Sequence, residues 1–354
     1  MNWKNSLARQ LNLDFPVIQA PMLGVTSPEM VAGVSNKGAL GSLPLGLTSA
    51  EQASALIQLV KSKTSRPFSV NLFVHQTFSI EQMPDMEVLR SFYRRYALQF
   101  PESDLTTIPF PGYEDLIDLL IEESVPVISF TFGIPEAGIV SRLKSKGSVL
   151  IGSASSVEEA IQVEQSGLDM VVVQGIEAGG HRASFIDDVL PQTGLISLLP
   201  QAIDAVQIPV IAAGGLMQGR SIAAAFLLGA KGVQLGSAFL RSNESMASNT
   251  YKALVAASTD TSTVITRAWT GKYARGIQNE FIVQMQKEAT LPYPSQIHYT
   301  SPLRKIGKEQ DSESIQHFWA GQSSKFARED AADMIIGELI KDAEKVLAGA
   351  SELF

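Results

Sequence analysis

Short apolar runs alternate with amphipathic stretches between residues 15 and 240 of this 354-residue chain. The alternation is typical of repeated units in which a buried parallel strand is followed by a helix that packs against it. Eight of the runs qualify as strands, which is the number that a closed parallel barrel needs. They lie at 15–20, 40–43, 68–74, 126–132, 148–153, 170–174, 209–213 and 232–235.

Stretches with helical periodicity separate most of these strands, and the first of them has Ser27 as a candidate N-cap. Helices are predicted at 28–36, 49–62, 113–123, 136–146, 157–166, 196–205 and 219–228, with a last one at 329–347. The pattern predicts an α/β fold, specifically a (β/α)8 TIM barrel. A doubly wound open sheet is the competing architecture, and the count of eight strands favours the barrel.

Two segments interrupt the rhythm of strands and helices. Residues 76–112 are rich in Met, Phe, Pro and charge, with one helical patch around 86–100, and we interpret them as an insertion near the active site after strand 3. Residues 243–322 include a Pro-, Tyr- and Ser-rich stretch at 291–302 and are interpreted as a smaller, irregular C-terminal subdomain before the last helix. Residues 1–75, 113–242 and 323–354 then remain for the barrel.

The composition narrows the class of protein. Hydrophobic residues make up 45% and charged residues 18% of the chain, as in a globular protein with a buried core. The net charge of −8 argues against a nucleic-acid surface, which needs a basic excess. No Cys is present, which excludes thiolate chemistry and disulfides, and no apolar run is long enough for a signal peptide or a membrane span. We therefore expect a cytoplasmic protein without membrane contact, and a homodimer remains open.

Paired small residues follow the seventh and eighth predicted strands. Gly214 and Gly215 end one strand, and Gly236 and Ser237 end the next, after Gln234. Loops at these positions of a barrel commonly bind a phosphate, because glycines let backbone N–H groups approach it closely. Tight turns alone would also explain the glycines, although two such pairs on consecutive strands favour a phosphate site. No P-loop and no Rossmann fingerprint is present.

A candidate catalytic histidine follows the sixth strand. Gly179 and Gly180 precede His181 and allow a turn that presents the imidazole over the mouth of the barrel, where a histidine can transfer protons near neutral pH. Arg182 is a candidate partner for an anionic ligand. His75 ends strand 3 and is a weaker candidate for the pocket. The remaining histidines are interpreted as surface or packing residues, and no metal-ligand spacing is present.

Polar side chains within or after apolar strands need hydrogen-bond partners. Asn71 lies inside strand 3 and Gln174 ends strand 6, and either neighbouring backbone or a ring with donors and acceptors could satisfy them. The chain turns after strand 1 at Ala20 and Met22, whose backbone could meet the edge of such a ring or simply form a turn.

Taken together, these segments resemble the class I nitronate monooxygenases, also called 2-nitropropane dioxygenases. The resembling segments are PVIQAPM (16–22), PFSVNLF (67–73), SFTFG (129–133), QGIEAGGHR (174–182), AAGGL (212–216), QLGSAF (234–239), TGKYARG (270–276) and WAGQ (319–322). The match runs from about residue 15 to residue 322, which is most of the chain.

The resemblance implies a non-covalent FMN, no metal, and oxidation of alkyl nitronates or nitroalkanes by O2 to a carbonyl compound and nitrite. His181 then corresponds to the catalytic base near the flavin. The expected cofactor-binding residues are Ala20, Met22, Asn71, Gln174, Gly179, Gly180, Gly214, Gly215, Gln234, Gly236 and Ser237. The alternative is the related FMN- and NADH-dependent enoyl-ACP reductase, and a flavin-binding barrel without turnover is a third class.

Overall fold

The computed structural model describes residues 3–74, 83–101, 111–186 and 190–349. The strands are numbered in chain order, and all but three of them belong to one sheet. They are β1 (Val17–Gln19), β2 (Gly41–Pro44), β3 (Phe68–Phe73), β4 (Val127–Thr131), β5 (Val149–Ala154), β6 (Met170–Gln174), β7 (Gly180–His181), β8 (Val210–Ala213), β9 (Gly232–Leu235), β10 (Thr263–Thr266) and β11 (Ala274–Ile277).

The main sheet is a barrel of eight parallel strands in the order β1-β9-β8-β6-β5-β4-β3-β2. A parallel bridge between Ile18 and Leu40 joins β1 to the start of β2 and brings the two ends of the sheet together. The predicted (β/α)8 TIM barrel is therefore confirmed, and the open sheet is excluded. Each of the eight predicted strands overlaps an observed one, so β8 and β9 are the seventh and eighth strands of the barrel.

The helices that surround the barrel begin close to their predicted positions. Ser27, Ser49 and Ser156 accept hydrogen bonds from backbone N–H groups three residues ahead, which fixes where α2, α3 and α7 start. The helices are α1 (Ser6–Gln10), α2 (Pro28–Asn36), α3 (Ala50–Lys63), α4 (Glu87–Arg95), α5 (Ile117–Glu122), α6 (Ala137–Ser145), α7 (Val157–Gln165), α8 (Leu195–Ala205), α9 (Gly219–Leu227), α10 (Asn249–Ala257), α11 (Glu280–Met285), α12 (Ser295–Glu309) and α13 (Ala332–Gly349). In the part of the chain that the structure describes, short 3-10 helices lie at Tyr113–Leu116, Ser237–Phe239 and Ser324–Phe326.

Alternate residues of the barrel strands serve two cores. In β6, Val171 and Val173 pack against the surrounding helices, while Met170 and Val172 point into the barrel. Leu7 of α1 and Leu11, which caps that helix, close the interior at the end where the strands begin. The opposite end, where the strands finish, remains available for a ligand site. Within the described ranges, no helix is both long enough and apolar enough to span a membrane.

A second hydrophobic core lies outside the barrel. Leu89 and Phe92 of α4 pack there with Trp269, Phe281 and Leu303. The described part of segment 76–112 thus shares a core with segment 243–322.

The C-terminal segment is more regular than the sequence indicated. The Pro- and Tyr-rich stretch at 291–302 enters helix α12, which continues through Pro302. Proline usually ends a helix because it removes one backbone hydrogen bond and its ring crowds the preceding turn. Here the apolar face of α12, with Tyr299 and Leu303 in the second core, offsets that cost.

The loop after β6 contains a short strand, which was not predicted from the sequence. Strand β7 pairs antiparallel with β11, with His181 opposite Ala274 and Gly180 opposite Arg275. Strand β10 completes this three-stranded sheet. The segment that carries His181 is therefore held by backbone pairing with the C-terminal segment.

Candidate active site

A cavity of about 610 Å³ opens where the barrel strands end. His181 and all the predicted cofactor-binding residues line it, although they come from six different strand ends and loops. They are Ala20, Met22, Asn71, Gln174, Gly179, Gly180, His181, Gly214, Gly215, Gln234, Gly236 and Ser237. The ends of parallel barrel strands converge on one face, which explains why residues so far apart in the chain meet there.

The side chain of Gln174 positions the backbone around His181. Its Nε2 donates to the carbonyl oxygen of His181 at 3.0 Å, and its Oε1 accepts from the backbone N–H of Ala183 at 3.1 Å. Neighbouring backbone thus satisfies one donor and the acceptor of this amide. Because Gln174 also lines the cavity, it connects the end of β6 to the segment that carries the histidine.

The structure corrects the expectation that Arg182 meets an anionic ligand. Its side chain is 1% exposed and points away from the cavity, where its guanidinium donates to the carbonyl oxygens of Gln174 and Gly175. Arg275 donates in the same way to Ile176 at 3.0 Å. Burial lowers the pKa of Arg182 to about 10, so it stays charged at neutral pH. The two arginines hold the loop from behind, and a sequence cannot tell which side of a loop a side chain takes.

The imidazole of His181 lies among aromatic rings. The ring centroids of Phe132 and Trp319 are each 5.5 Å from it, and that of Tyr293 is 6.0 Å away. Its Nε2 is 2.9 Å from Oγ1 of Thr270, a buried side chain of the C-terminal segment. Among the described residues, the imidazole therefore has one hydrogen-bond partner, Thr270, and packs against three aromatic rings.

His181 is held in its neutral form. Burial is the main cause that lowers its pKa to about 3, and the nearby charges of Lys272 and Arg304 contribute to the same shift. A neutral imidazole has one nitrogen that donates and one that accepts a hydrogen bond, so it can act on a bound molecule in either sense.

Asn71 has one polar atom without a partner. Its Nδ2 donates to the hydroxyls of Ser129 at 2.9 Å and Thr131 at 3.1 Å, and to the carbonyl of Ser129 at 3.3 Å. Its Oδ1 is buried and accepts no hydrogen bond from the described residues. Because the carbonyl of Ser129 can only accept, the orientation of the amide is fixed by its surroundings. An unpaired buried acceptor at a cavity wall favours a ligand that donates there.

Glycines line the side of the cavity that is formed by the ends of β8 and β9. Gly214 and Gly215 have φ of +112° and +70°, which residues with a Cβ rarely adopt. A Cβ on Gly179 would lie 2.4 Å from the backbone nitrogen of Gly321, so the backbone segments around these two glycines are in direct contact. The backbone N–H of Gly321 donates to Oγ of Ser237 at 2.9 Å. These glycines and the hydroxyl of Ser237 together form a cup that is made largely of backbone.

Several cavity residues were not predicted from the sequence, among them Phe132 and a group in 243–322. Thr270, Tyr293, Arg304 and Trp319 line the inner part of the cavity with His317. His317 was interpreted as a surface or packing residue, yet its ring lies 5.2 Å from that of Trp319 on the cavity wall. Burial and the charges of Arg304 and His181 hold the pKa of His317 well below its usual range. TGKYARG and WAGQ were noted as family segments, but their spacing indicates no chemistry.

Arg304 is a charged group of the cavity lining that lies near enough to His181 to lower the pKa of the imidazole. Its guanidinium donates to the hydroxyl of Ser301 at 2.8 Å, while its Nε is buried without a partner among the described residues. It forms no ion pair with any carboxylate in those ranges. Burial lowers its pKa to about 10, which leaves it cationic at neutral pH.

Of the two remaining histidines, His298 is among the described residues and does not line the cavity. His298 is on α12 beside Tyr299, with ring centroids 5.1 Å apart. His75 lies outside the described residues.

Comparisons with known proteins point to one family. A sequence model for nitronate monooxygenase matches residues 4–342. A probable nitronate monooxygenase of Staphylococcus aureus strain JH9 is 43% identical over 350 residues, covering 97% of this chain and 98% of that protein. The solved structure of a nitroalkane oxidase from Streptomyces ansochromogenes has a TM-score of 0.89 at 34% identity, covering 98% of this chain and 100% of that one. FabK from Thermotoga maritima has a TM-score of 0.77 at 26% identity, covering 99% of both chains.

Proposed function

The chain belongs to the nitronate monooxygenase family, and we propose that it uses FMN to oxidise alkyl nitronates with O2 to a carbonyl compound and nitrite. Membership of the family makes it a flavin-dependent oxidoreductase. The choice of FMN, the role of His181 and the anionic substrate are our inferences, and the contacts at the cavity support each of them.

The cavity residues fit a flavin. The unpaired Oδ1 of Asn71 offers an acceptor to a ring N–H, and the cup around Gly214, Gly215 and Ser237 offers backbone and a hydroxyl to a phosphate. A single cup without a dinucleotide fingerprint favours FMN over FAD. When bound, FMN supplies the redox chemistry between the organic substrate and O2, and the protein supplies binding and orientation.

The charge of the cavity carries the case for a nitronate. Arg304, Lys305 and Lys308 line it, and no Asp or Glu does so among the described residues, in a chain whose net charge is −8. A buried cation without a carboxylate partner is costly unless a ligand compensates it. An anionic nitronate supplies that compensation, and a neutral nitroalkane does not.

The neutral state of His181 also favours a nitronate over a nitroalkane as the substrate. We assign it as the catalytic residue, which takes the α-proton of a nitroalkane or donates a hydrogen bond to a nitronate. A base whose pKa is about 3 is weak, so the transfer of a proton to it from carbon is unfavourable. A nitronate has already lost that proton, so His181 needs only to orient it, with Thr270 holding the ring. We therefore propose that nitronates are better substrates than the parent nitroalkanes.

An aerobic assay tests the function directly. We expect the purified protein to consume O2 and release nitrite with ethyl nitronate, and to leave NADH unoxidised. The alternative is an NADH-dependent enoyl-ACP reductase, so the same preparation is given NADH and an enoyl thioester. The nitroalkane oxidase structure is more similar to this chain than FabK is, by both identity and TM-score. Rapid NADH oxidation without nitrite formation from the nitronate would reject the proposal.

A further inference from the structure

Three basic residues lie along one stretch of α12 at the cavity. Arg304, Lys305 and Lys308 all line it, at helical positions one and four residues apart. Arg304 is partly buried, whereas Lys305 and Lys308 are exposed. The same helix thus carries positive charge from the solvent-facing rim of the cavity to the interior next to His181.

Neither Lys305 nor Lys308 forms an ion pair with a carboxylate in the described ranges, and no acidic side chain from those ranges lines the cavity. Some basic side chains elsewhere at the surface do pair with Asp or Glu, for example Lys61, Lys63 and Lys144. Glu309 follows Lys308 and lies one helical turn from Lys305, but it does not line the cavity. Two lysines at the mouth of a cleft whose described lining carries no carboxylate give that lining a positive potential on an acidic protein.

We propose that Lys305 and Lys308 form an electrostatic entrance that captures small anionic substrates and delivers them to Arg304 and His181. The inference rests on the proposed function for the identity of the substrate. A cleft lined by charge of one sign focuses the field and raises the local concentration of the opposite ion. The entrance acts over roughly 8–10 Å at moderate ionic strength, so it needs no direct contact with the reacting atoms.

The test compares the double variant Lys305→Gln/Lys308→Gln with the wild type. Glutamine keeps length and helix propensity while removing the charge. We measure kcat/KM for ethyl nitronate at low and high ionic strength, at matched flavin content. We expect a loss on the order of tenfold at low ionic strength, with a much smaller change in kcat. The two proteins should converge as salt is added, because screening removes the advantage of the wild type.

A matched control carries the same change of net charge elsewhere. Lys341 and Lys345 are exposed on α13 and do not line the cavity. The variant Lys341→Gln/Lys345→Gln should retain the salt dependence of the wild type. A similar loss in this control would assign the effect to overall charge and overturn the proposal. A loss in the Lys305/Lys308 variant that persists undiminished at high salt would also overturn it.

A second readout separates this inference from the proposed function. Nitrate is a small planar anion that is not a nitronate, and its binding is followed by the change in flavin absorbance. The entrance predicts weaker nitrate binding in the Lys305/Lys308 variant, with less salt dependence than in the wild type. If the wild type fails to oxidise nitronates but shows this difference, the proposed function fails and the entrance stands. Equal nitrate affinities in both proteins would overturn the entrance.

Discussion

The Nε2 atom of His181 lies 2.9 Å from the hydroxyl oxygen of Thr270. The two residues come from different parts of the fold, one from β7 after the sixth barrel strand and the other from the segment between β10 and β11. Thr270 is thus placed to fix the ring of His181, and removing its hydroxyl should affect turnover without affecting the flavin cup.

The variant Thr270→Val keeps the shape of the side chain and removes its hydrogen bond. We expect kcat/KM for a nitronate to fall by about tenfold or less, the value of one net hydrogen bond. Thr270→Ser, which restores the hydroxyl, should recover most of the loss, and flavin content should remain unchanged in both. A loss that serine does not recover would indicate that packing, rather than the hydrogen bond, matters at this position.

The variant His181→Asn should retain FMN but lose activity. On a neutral nitroalkane we expect a loss of about 10²–10⁴-fold, as for a general base, and on the preformed nitronate a smaller one. The measurement is kcat/KM for both substrates at matched FMN occupancy. Equal losses on the two substrates would argue against His181 as the base, and full activity would remove it from the mechanism.

The lowered pKa of His181 also predicts a pH dependence of stability. Its pKa is about 3 in the folded protein against 6.5 for an ordinary histidine. Between these values the unfolded chain binds a proton that the folded protein does not, so stability falls as the pH drops below about 6.5. At pH 5 the contribution of this residue is on the order of 1–2 kcal/mol. The free energy of unfolding, measured with urea, should decrease less between pH 7.5 and pH 5 in His181→Asn than in the wild type.

The variant Gly215→Asp should weaken flavin binding severely. Its Cβ would lie 3.3 Å from that of Glu177, and its carboxylate would add like charge beside the expected phosphate. Gly167→Asp is the matched control, because Gly167 has a similar φ of +82° with no atom within 4 Å of its Cβ position. A flavin titration should show a large loss of affinity only in the first variant. Unchanged affinity in a folded Gly215→Asp protein would place the phosphate elsewhere.

The purified protein should be yellow, and acid should release FMN from it. The prediction follows from the single cup at Gly214 and Ser237 and from the absence of a dinucleotide fingerprint. Mass spectrometry of the released cofactor distinguishes FMN from FAD. Detection of FAD, or of no flavin after reconstitution, would reject the assignment.

The barrel could be predicted from the sequence because its determinants are local. The apolar runs that become β3, β6 and β8 are short and bounded by turn residues, and the parallel arrangement brings their C-terminal ends together. Residues near or after the ends of these strands, such as Asn71 and Gly214, could therefore be assigned to one face without knowledge of the structure.

The rest of the site depends on contacts between distant segments. Arg304 and His317 reach the cavity because α12 packs in the second core and because β11 pairs with β7. No periodicity in 243–322 indicates the pairing of β11 with β7. A proline at position 302 is also unfavourable for a helix such as α12. Arg182 was placed wrongly for a related reason, since its position behind the loop depends on partners that the sequence does not identify.

The pairing between β7 and β11 has a consequence for how such enzymes can diverge. The strand pairing that holds His181 opposite Ala274 involves only main-chain groups. The backbone N–H of Arg182 likewise donates to the carbonyl oxygen of Tyr273 at 2.8 Å. Backbone ladders tolerate replacement of their side chains as long as the strand persists. Natural variation in the outer segment can therefore reshape the substrate end of the cavity while the histidine keeps its place, so that new specificities evolve without rebuilding the barrel.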